Sequence, residues 1–509
     1  MKINELKAGV VLSYLTQAVH ILTGLLYTPV MLRLLGQSEY GLYQLVYSVV
    51  SYLSLLSLGF GASYVRFFSR YKIQNNEKEI TRLNGMFMTI FAIISLICIG
   101  CGGVMIKNAH HIFGKGLTAG ELAKAKVLLG IMIFNMAATF INSVFSSIIT
   151  AYEKFFFQRL IKFLRELFNP FLTLPLLILG YGSVAMVVAT TILTVLGLAA
   201  DSIFCLRKLK VRFSFSSFDF SLFKEMWGFT FFIFINMIVD QLNWSVDKFL
   251  LGRMIGTVAV AVYGVAAQLN SLYLALSTAV SSVFIPRVNL IVAKNNDNHA
   301  LSKLFAKVGR VQFLILALVV TGYIIFGRSF VALWAGPGYG EAYIVGLFLM
   351  IPVTVPLIQN LGIEIQRAKN MHQARAIVYL FVAVSNIFVS IPCIKYWGVS
   401  GAAVGTAISL IVGNILFMNY YYHKKVGLDI GYFWKEMFGL LVPAAFAAAI
   451  GFALTRLWPA KGKIGVLALQ MVLYCGIYVV IMWRLGMKEQ EKELISAPIK
   501  KVGDRLWKK

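Results

Sequence analysis

The chain has 509 residues, of which 59% are hydrophobic and only 13% are charged. Soluble globular domains carry roughly twice that share of charge, so this composition excludes a soluble protein. The formal net charge of +26 raises the possibility of a nucleic-acid partner, which the distribution of charge along the chain must decide.

Long apolar stretches run through the whole chain. A helix that crosses about 30 Å of hydrocarbon needs about 20 predominantly apolar residues. The sequence contains fourteen such stretches, and their helical polarity excludes a β-barrel. We expect an all-α, multi-pass membrane protein with these spans: 8–32, 40–65, 84–106, 127–150, 163–180, 183–205, 226–251, 258–285, 309–331, 343–365, 376–394, 398–422, 437–458 and 464–483.

The basic residues follow this topology. If the N-terminus is cytoplasmic, the segments on that side hold 35 of the 47 lysines and arginines. This asymmetry is the positive-inside pattern, and it predicts that both termini are cytoplasmic. The basic segments are short, are dispersed between the spans and lack an aromatic-basic platform, so we expect no nucleic-acid partner.

The five cysteines all lie in or beside predicted spans, which makes a disulfide framework improbable. Cys98 and Cys101 form a CxxC pair within the third span, where helix packing is the expected role. His110 and His111 occur in a loop without further ligands at metal spacing. We therefore expect no metal site and no bound cofactor.

An internal repeat relates the two halves of the chain. A shift of 220 residues superposes Arg33, Gly36 and Tyr43 on Arg253, Gly256 and Tyr263, and a shift of 216 superposes Gly182 on Gly398. Because six spans separate the copies, both enter the bilayer from the same side. We predict two parallel six-helix bundles and an added helical hairpin, with these segments: N-terminal bundle 1–206, cytoplasmic linker 207–225, C-terminal bundle 226–423, hairpin 424–485 and basic cytoplasmic tail 486–509.

Polar residues form a stripe on the first helix of each bundle. In span 7 they recur at i, i+4, i+7 and i+11, a spacing that places Asn236, Asp240, Asn243 and Asp247 on one face. Their counterparts in span 1 are Thr16, His20, Thr23 and Tyr27. Polar side chains that face lipid would be unsatisfied, so the two stripes predict a hydrated central cavity.

Some of these residues have simpler explanations. Asp247 and Lys248 lie about 10 Å from Asp240 along the helix and would reach the outer interface by snorkelling. Glu364 lies near the inner end of its span, where pairing with Arg367 is the favoured role. Asp240 is the residue for which function is favoured over structure, because an ionisable group near mid-membrane normally marks a site.

The sequence resembles a known family in three segments: "LLYTPVMLRLLGQSEYGLYQLVYSVVSYLSLLSLGFGASYVRFFSRY", "VDKFLLGRMIGTVAVAVYGVAAQL" and "KYWGVSGAAVGTAIS". They are similar to the polysaccharide flippases of the multidrug/oligosaccharidyl-lipid/polysaccharide exporter superfamily. The resemblance implies two bundles in a V shape around a cationic cavity. It also implies that an undecaprenyl-pyrophosphate-linked oligosaccharide is flipped to the outer leaflet of the bacterial cytoplasmic membrane, for surface polysaccharides such as O-antigen or capsule.

The resemblance further implies ion-coupled alternating access, with H⁺ or Na⁺ as the coupling ion. Polysaccharide polymerase and chain-length proteins are the implied partners, besides membrane lipids. Two departures from the family matter, since fourteen spans also fit lipid II flippases and the first span carries His20 where those carry an arginine. A lipid II flippase and a multidrug antiporter of the same superfamily therefore remain alternatives.

The residues support a pyrophosphate substrate independently. Cations must replace the water around a pyrophosphate, and arginine matches its geometry best. For substrate binding we single out six residues along the two equivalent helices: Arg33, Arg253, Lys248, His20, Tyr27 and Asn243. For ion coupling the candidates are Asp240, Asp247 and Glu364.

A basic segment, "YEKFFFQRLIKFLRE", would supply further cations at the inner mouth. It carries Lys154, Arg159, Lys162 and Arg165, although an amphipathic helix at the membrane interface is its favoured interpretation. The longest outer loop offers one glutamate and no catalytic constellation, so we expect a transporter and not an enzyme.

Overall fold

The computed structural model describes residues 5–215, 219–369, 371–460 and 462–493. Within these ranges the regular elements are helices, and no strand is present. The α-helices are α1 Glu5–Ser51, α2 Phe60–Ile73, α3 Glu77–Lys107, α4 Ala109–Phe113, α5 Ala119–Ala151, α6 Phe155–Ile178, α7 Gly182–Ile203, α8 Phe220–Met254, α9 Thr257–Ser282, α10 Ile285–Lys294, α11 Asn298–Trp334, α12 Ala342–Ile358, α13 Leu361–Ala368, α14 His372–Ser409, α15 Met418–Tyr421, α16 Ile430–Leu457 and α17 Ile464–Ile481.

The helices confirm a multi-pass, all-α membrane protein. Among the described residues, nine helices are long and apolar enough to cross a membrane, or up to eleven if two bent helix pairs each form one span. The predicted total of fourteen stays a prediction. Part of the difference arises because neighbouring stretches are continuous here, since 8–32 and 40–65 both fall in the stretch from α1 to α2.

Glycine marks the breaks within two of the long helices. Gly36 interrupts α1 with φ 74° and ψ 171°, and Gly398 interrupts α14 with φ 58° and ψ −132°. A side chain strains the backbone in this region of positive φ, whereas glycine adopts it freely. The chain therefore turns at both positions without a connecting loop.

Short polar side chains define several helix starts. Thr118 and Glu121 form a reciprocal capping box at the start of α5. Asp219 accepts a hydrogen bond from the Leu222 N–H at the start of α8, and Asp297 caps α11 in the same way through the His299 and Ala300 N–H groups. Each cap satisfies N–H groups that have no partner within the helix.

The described chain forms two compact units. The first comprises the chain up to Gly264 together with Tyr379–Ala402, and the second comprises Val265–Val378 together with the chain from Ala403 onward. In the first unit α6 packs against α1 and α7, and α5 packs against α3 and α7. In the second unit α11 packs against α16, α12 and α17. The internal repeat predicts that residues 8–205 superpose on 226–422, and this stays a prediction.

The segment after α7 is held against α3. The Ser214 N–H donates to the Thr81 carbonyl at 3.1 Å, and the Asn84 side chain donates to the Arg212 carbonyl at 2.9 Å. Gly85 permits this approach, because a Cβ at that position would lie 1.8 Å from the Ser214 carbonyl oxygen. The predicted linker is thus anchored on its N-terminal side, up to the undescribed residues 216–218.

A buried ion-pair network ties the C-terminal segment to the second unit. Arg310 of α11 is only 5% exposed and binds both carboxylate oxygens of Glu491, at 2.5 and 3.0 Å. It also donates to the Glu436 carboxylate of α16 at 3.2 Å and to the Gly486 carbonyl at 2.9 Å. Lys488 adds a contact of 2.6 Å to Glu436. One arginine therefore joins α11, α16 and the chain after α17, where the predicted tail is described up to residue 493.

We predict that Arg310→Ala lowers the stability of the folded protein by roughly 3–5 kcal/mol, because it leaves the buried Glu491 carboxylate without its cation and removes one of the two cations that bind Glu436. Thermal unfolding of the purified protein in detergent measures the change. Arg328→Ala is the matched control, since Arg328 lies in the same helix but is exposed. Equal unfolding temperatures for the two variants would contradict the prediction.

Candidate functional site

The basic segment near residue 160 belongs to a long helix. α6 runs without interruption from Phe155 to Ile178, so this segment forms its first three turns and not a separate interfacial helix. Gln158, Lys162, Arg165 and Asn169 recur at i, i+4, i+7 and i+11 and so share one face of α6. The polar face thus continues beyond the basic segment into the rest of α6, and the interfacial interpretation stays a prediction.

This face lines a cavity of about 820 Å³ within the first unit. Three cations, Arg159, Lys162 and Arg165, and two carboxylates, Glu166 and Asp201, contribute to its walls. The other lining residues are mostly polar: Tyr43, Tyr47, Asn142, Ser146, Gln158, Ile161, Asn169, Thr190, Leu193 and Thr194. The size is that of pockets which hold small-molecule ligands, which range from about 300 to 1,000 Å³.

Helix α7 positions the central cation. The Arg165 guanidinium donates to the Thr194 hydroxyl at 3.0 Å. Gly197, one turn further, leaves room for the arginine stem, since a Cβ there would lie 3.3 Å from the Arg165 Cδ. On the other wall, Gln158 donates to the hydroxyls of Ser146 and Thr150, each at 2.9 Å. The hydrogen bonds fix the direction in which these long side chains point.

Three acceptor oxygens of the wall have no protein donor. Within the part of the chain that the structure describes, the Oδ1 atoms of Asn142, Asn169 and Asp201 are buried and lack a hydrogen-bond partner. Asp201 is only 5% exposed. Buried polar atoms are nearly always paired, so an unpaired set within one cavity indicates a ligand or water that completes it. The cavity thus offers both cations and acceptors.

His20 reaches the same region from α1. Its Nδ1 lies 3.4 Å from the Glu166 carboxylate, and both side chains are partly exposed. The partner of His20 in the structure is thus a carboxylate of α6. Tyr27, two turns further along α1, has a buried hydroxyl oxygen. The histidine therefore neutralises part of the acidic character of the cavity when it is protonated.

None of the nine residues predicted for binding or coupling lines this cavity. Arg33 and Arg253 are exposed, and Asn243 is half-buried. Lys248 donates to the Gln44 side-chain oxygen at 3.0 Å, and Gln44 in turn donates to the Tyr40 hydroxyl at 2.8 Å. Lys248 is therefore directed into α1 and does not snorkel outward as expected.

The two aspartates of α8 have exchanged their expected environments. Asp240 is exposed, whereas the prediction placed it half-buried. Asp247 is 1% exposed, which contradicts an interfacial position. Its carboxylate accepts a hydrogen bond from the Tyr263 hydroxyl at 2.6 Å and a longer contact of 3.5 Å from Ser390. Seven residues separate the two aspartates on one helix face, so spacing alone does not rank their burial.

Glu364 occurs in the second unit and has the structural role that was favoured for it. The Arg367 guanidinium donates to its carboxylate at 2.8 Å, one helical turn away in α13. Arg367 itself is 65% exposed, which fits an ion pair at a surface. Glu364 is therefore the weakest of the three coupling candidates.

The polar spacing along α6 is the sequence signal that indicates this cavity. The same polar spacing occurs in α8 and in α6. The cations of the α6 segment also fit a helix at the membrane interface. Asp201 lies near the end of a span, where an isolated carboxylate carries no pattern. A single amide in an apolar helix has many roles, so the sequence does not single out Asn142 or Asn169.

Comparison with known proteins identifies the family. Residues 6–292 match the family described as "Polysaccharide biosynthesis protein". The chain belongs to this family. Among relatives of the polysaccharide biosynthesis family, the membrane protein EpsK of Bacillus subtilis (strain 168) is 22% identical over 490 residues, which cover 93% of this chain and 94% of EpsK. The family resemblance seen in the sequence is therefore confirmed.

Two solved structures share the fold. The lipid II flippase MurJ in an inward closed conformation superposes with a TM-score of 0.73 at 16% identity and covers 93% of this chain and 97% of its own. An inward-facing multidrug resistance MATE family transporter of the MOP superfamily superposes with a TM-score of 0.66 at 15% identity, over 84% and 99% of the two chains. The fold is thus shared with these two proteins.

We predict that the cavity is filled with water. A cysteine at Leu193, which lines it, should react with a charged, membrane-impermeant thiol reagent, because only a hydrated thiol forms the reactive thiolate. A cysteine at Val195 is the control, since its side chain is exposed on the opposite side of α7 and we expect it to face lipid. Both are made in a variant without the five native cysteines, and labelling is measured in vesicles of each orientation. Equal labelling of the two positions would contradict a hydrated cavity.

Proposed function

We propose that this protein flips an undecaprenyl-pyrophosphate-linked oligosaccharide from the inner to the outer leaflet of the bacterial cytoplasmic membrane by ion-coupled alternating access. The observation that carries the proposal is the cavity with Arg159, Lys162 and Arg165 on one wall. Membership of the polysaccharide biosynthesis family and the fold shared with a lipid II flippase support it.

The chemistry of the substrate explains the cations. A pyrophosphate carries at least two negative charges, and its hydration must be replaced before it crosses hydrocarbon. Charge-assisted hydrogen bonds from arginine and lysine replace that water, and arginine binds two phosphate oxygens at once. When it is protonated, His20 adds a further positive charge beside Glu166.

Two alternatives remain from the sequence. A multidrug exporter for cationic drugs favours an anionic, aromatic pocket, whereas cations outnumber carboxylates here. A lipid II flippase shares the lipid carrier and the pyrophosphate, so the same cavity suits it and only the glycan differs. A surface-polysaccharide precursor is preferred because of the family match.

The proposal includes an orientation. The positive-inside distribution favours cytoplasmic termini and places the start of α6 toward the cytoplasm. The cations then lie where a precursor made in the cytoplasm enters. Proteins that polymerise the glycan or control its chain length are proposed partners.

We predict that Arg159→Ala and Lys162→Ala each slow translocation by about tenfold to a hundredfold, because a lost charge-assisted contact costs roughly 1.5–3 kcal/mol. The measurement is the appearance of a labelled lipid-linked oligosaccharide in the outer leaflet of proteoliposomes. Arg159→Lys should restore part of the rate, since lysine keeps the charge but not the paired donors.

Lys208→Ala is the matched control, because Lys208 is exposed and lies outside the cavity lining. Wild-type rates for both cavity variants would refute the proposed role of the cations. Arg33→Ala and Arg253→Ala belong in the same experiment, since the sequence predicts a loss of export for both. A loss confined to these two would return the substrate site to α1 and α8.

The coupling step is proposed at Asp247 in place of Asp240. A carboxylate that is 1% exposed changes its interactions strongly when it binds a proton or Na⁺. The Asp247 carboxylate accepts a short hydrogen bond from Tyr263 and a longer contact from Ser390. Ser390 donates at 3.1 Å to Asn386 as well, so a small rearrangement changes which acceptor it serves.

We predict that Asp247→Asn retains the fold and basal translocation but loses the acceleration caused by an imposed pH or Na⁺ gradient. The amide keeps the size of the side chain and an acceptor for Tyr263, while it removes the charge. Translocation with and without the gradient is compared in proteoliposomes. Asp240→Asn is the matched variant on the same helix face, and a selective loss of the gradient response in that variant would assign coupling to Asp240. An intact response in both variants would remove coupling from α8.

A further inference from the structure

The three unpaired oxygens of the cavity form a coherent set. The Oδ1 atoms of Asn142, Asn169 and Asp201 come from α5, α6 and α7, respectively, and all are acceptors. Each is buried, and within the described residues none receives a hydrogen bond. Leaving a buried acceptor unpaired costs roughly 1–3 kcal/mol, so three around one cavity indicate a common donor-bearing ligand.

From this geometry we infer that the three residues form a sugar subsite. Asn142, Asn169 and Asp201 accept hydrogen bonds from the hydroxyl or amide N–H groups of the sugar attached to the pyrophosphate. The inference rests on the proposed function, because it places the glycan beside the phosphate-binding cations. The sugar attached to the pyrophosphate is then the part of the substrate that contributes specificity.

The arrangement of charges favours a neutral donor over a bound cation. The Asn142 side chain hydrogen-bonds to Asp201 and Arg165 acts on it electrostatically, so the carboxylate charge already has compensating partners, while its Oδ1 atom remains an open acceptor. Arg159 and Lys162 add two further positive charges to the same cavity. A metal ion or ammonium group would be repelled by these cations, whereas a hydroxyl group or an N-acetyl N–H is not.

The proposed sugar-binding oxygens lie close along the helices to the phosphate-binding cations. Asn169 follows Arg165 by one turn of α6, and Asp201 follows the Arg165 partner Thr194 by two turns of α7. A phosphate held by the cations therefore has acceptors on either side of it. The volume of about 820 Å³ suits the pyrophosphate and its first sugar, and is too small for a long oligosaccharide. The subsite would therefore read the first sugar of the glycan.

Two lipid probes test the inference. Undecaprenyl pyrophosphate and undecaprenyl-pyrophosphoryl-N-acetylglucosamine are bound to the full-length protein in nanodiscs, and their affinities are measured by native mass spectrometry. The wild type should bind the probe with the sugar more tightly. Asp201→Asn should lower the affinity for that probe by about tenfold relative to the bare pyrophosphate, because it alters a sugar contact, whereas removing a negative charge from the cavity does not weaken binding of the pyrophosphate itself.

Asn142→Ala and Asn169→Ala should weaken sugar binding in the same selective way, which guards against a defect particular to Asp201. Arg159→Ala serves as the contrasting variant and should weaken both probes equally. Equal affinities of the wild type for the two probes, or an equal effect of Asp201→Asn on both, would overturn the sugar subsite. Failure of the wild type to bind either probe would instead refute the proposed function.

The cation alternative is measured in the same preparation. Binding is repeated in sodium chloride and in choline chloride at equal ionic strength. Under the sugar subsite, replacing Na⁺ by choline leaves the difference between the two probes unchanged. A wild-type affinity that depends on Na⁺, together with its loss in Asp201→Asn, would overturn the inference in favour of a cation site.

Discussion

Hydrocarbon cannot solvate a polar group, and this constraint organises the polar residues of the protein. A charge among apolar helices must pair with another side chain or reach water. Arg310 illustrates the first solution, since two carboxylates and a carbonyl surround its guanidinium. Lys248 also pairs with another side chain, since it donates to the neutral amide oxygen of Gln44. In both cases a polar contact joins neighbouring helices.

The cavity in the first unit follows the second solution. Its cations lie on one face of α6 and open into a space that water or substrate fills. Three of its acceptor oxygens, the Oδ1 atoms of Asn142, Asn169 and Asp201, have no protein donor among the described residues. Polar groups that bond to one another satisfy each other within the folded chain. These unpaired oxygens need a hydrogen-bond donor from water or a ligand. That contrast makes the cavity a stronger candidate for function than the fully bonded residues elsewhere in the same unit.

The sequence predicted the class of protein, the helical architecture and the family because these depend on composition and on long-range pattern. It also predicted the pairing of Glu364 with Arg367, since residues three apart on a helix are neighbours. It did not predict that His20 faces Glu166, because a stripe on one helix contains no information about which helix lies opposite. The exchange of environments between Asp240 and Asp247 has the same origin. Both are on one face of α8, and burial depends on neighbours that are distant in sequence.

The proline content of α6 adds a last feature to the cavity. Pro170 and Pro175 lie inside this helix, and proline has no N–H to donate to the carbonyl four residues earlier. For Pro170 that carbonyl belongs to Glu166, which is itself a lining residue. Nearby, Thr173 donates its hydroxyl to the Asn169 carbonyl at 2.8 Å. The helix that carries the cations therefore also has a weakened backbone ladder next to them, which tolerates bending and leaves a backbone acceptor beside the proposed sugar subsite. Membrane helices keep such prolines where neighbouring groups or water can satisfy the freed carbonyl, and a hydrated cavity supplies that water.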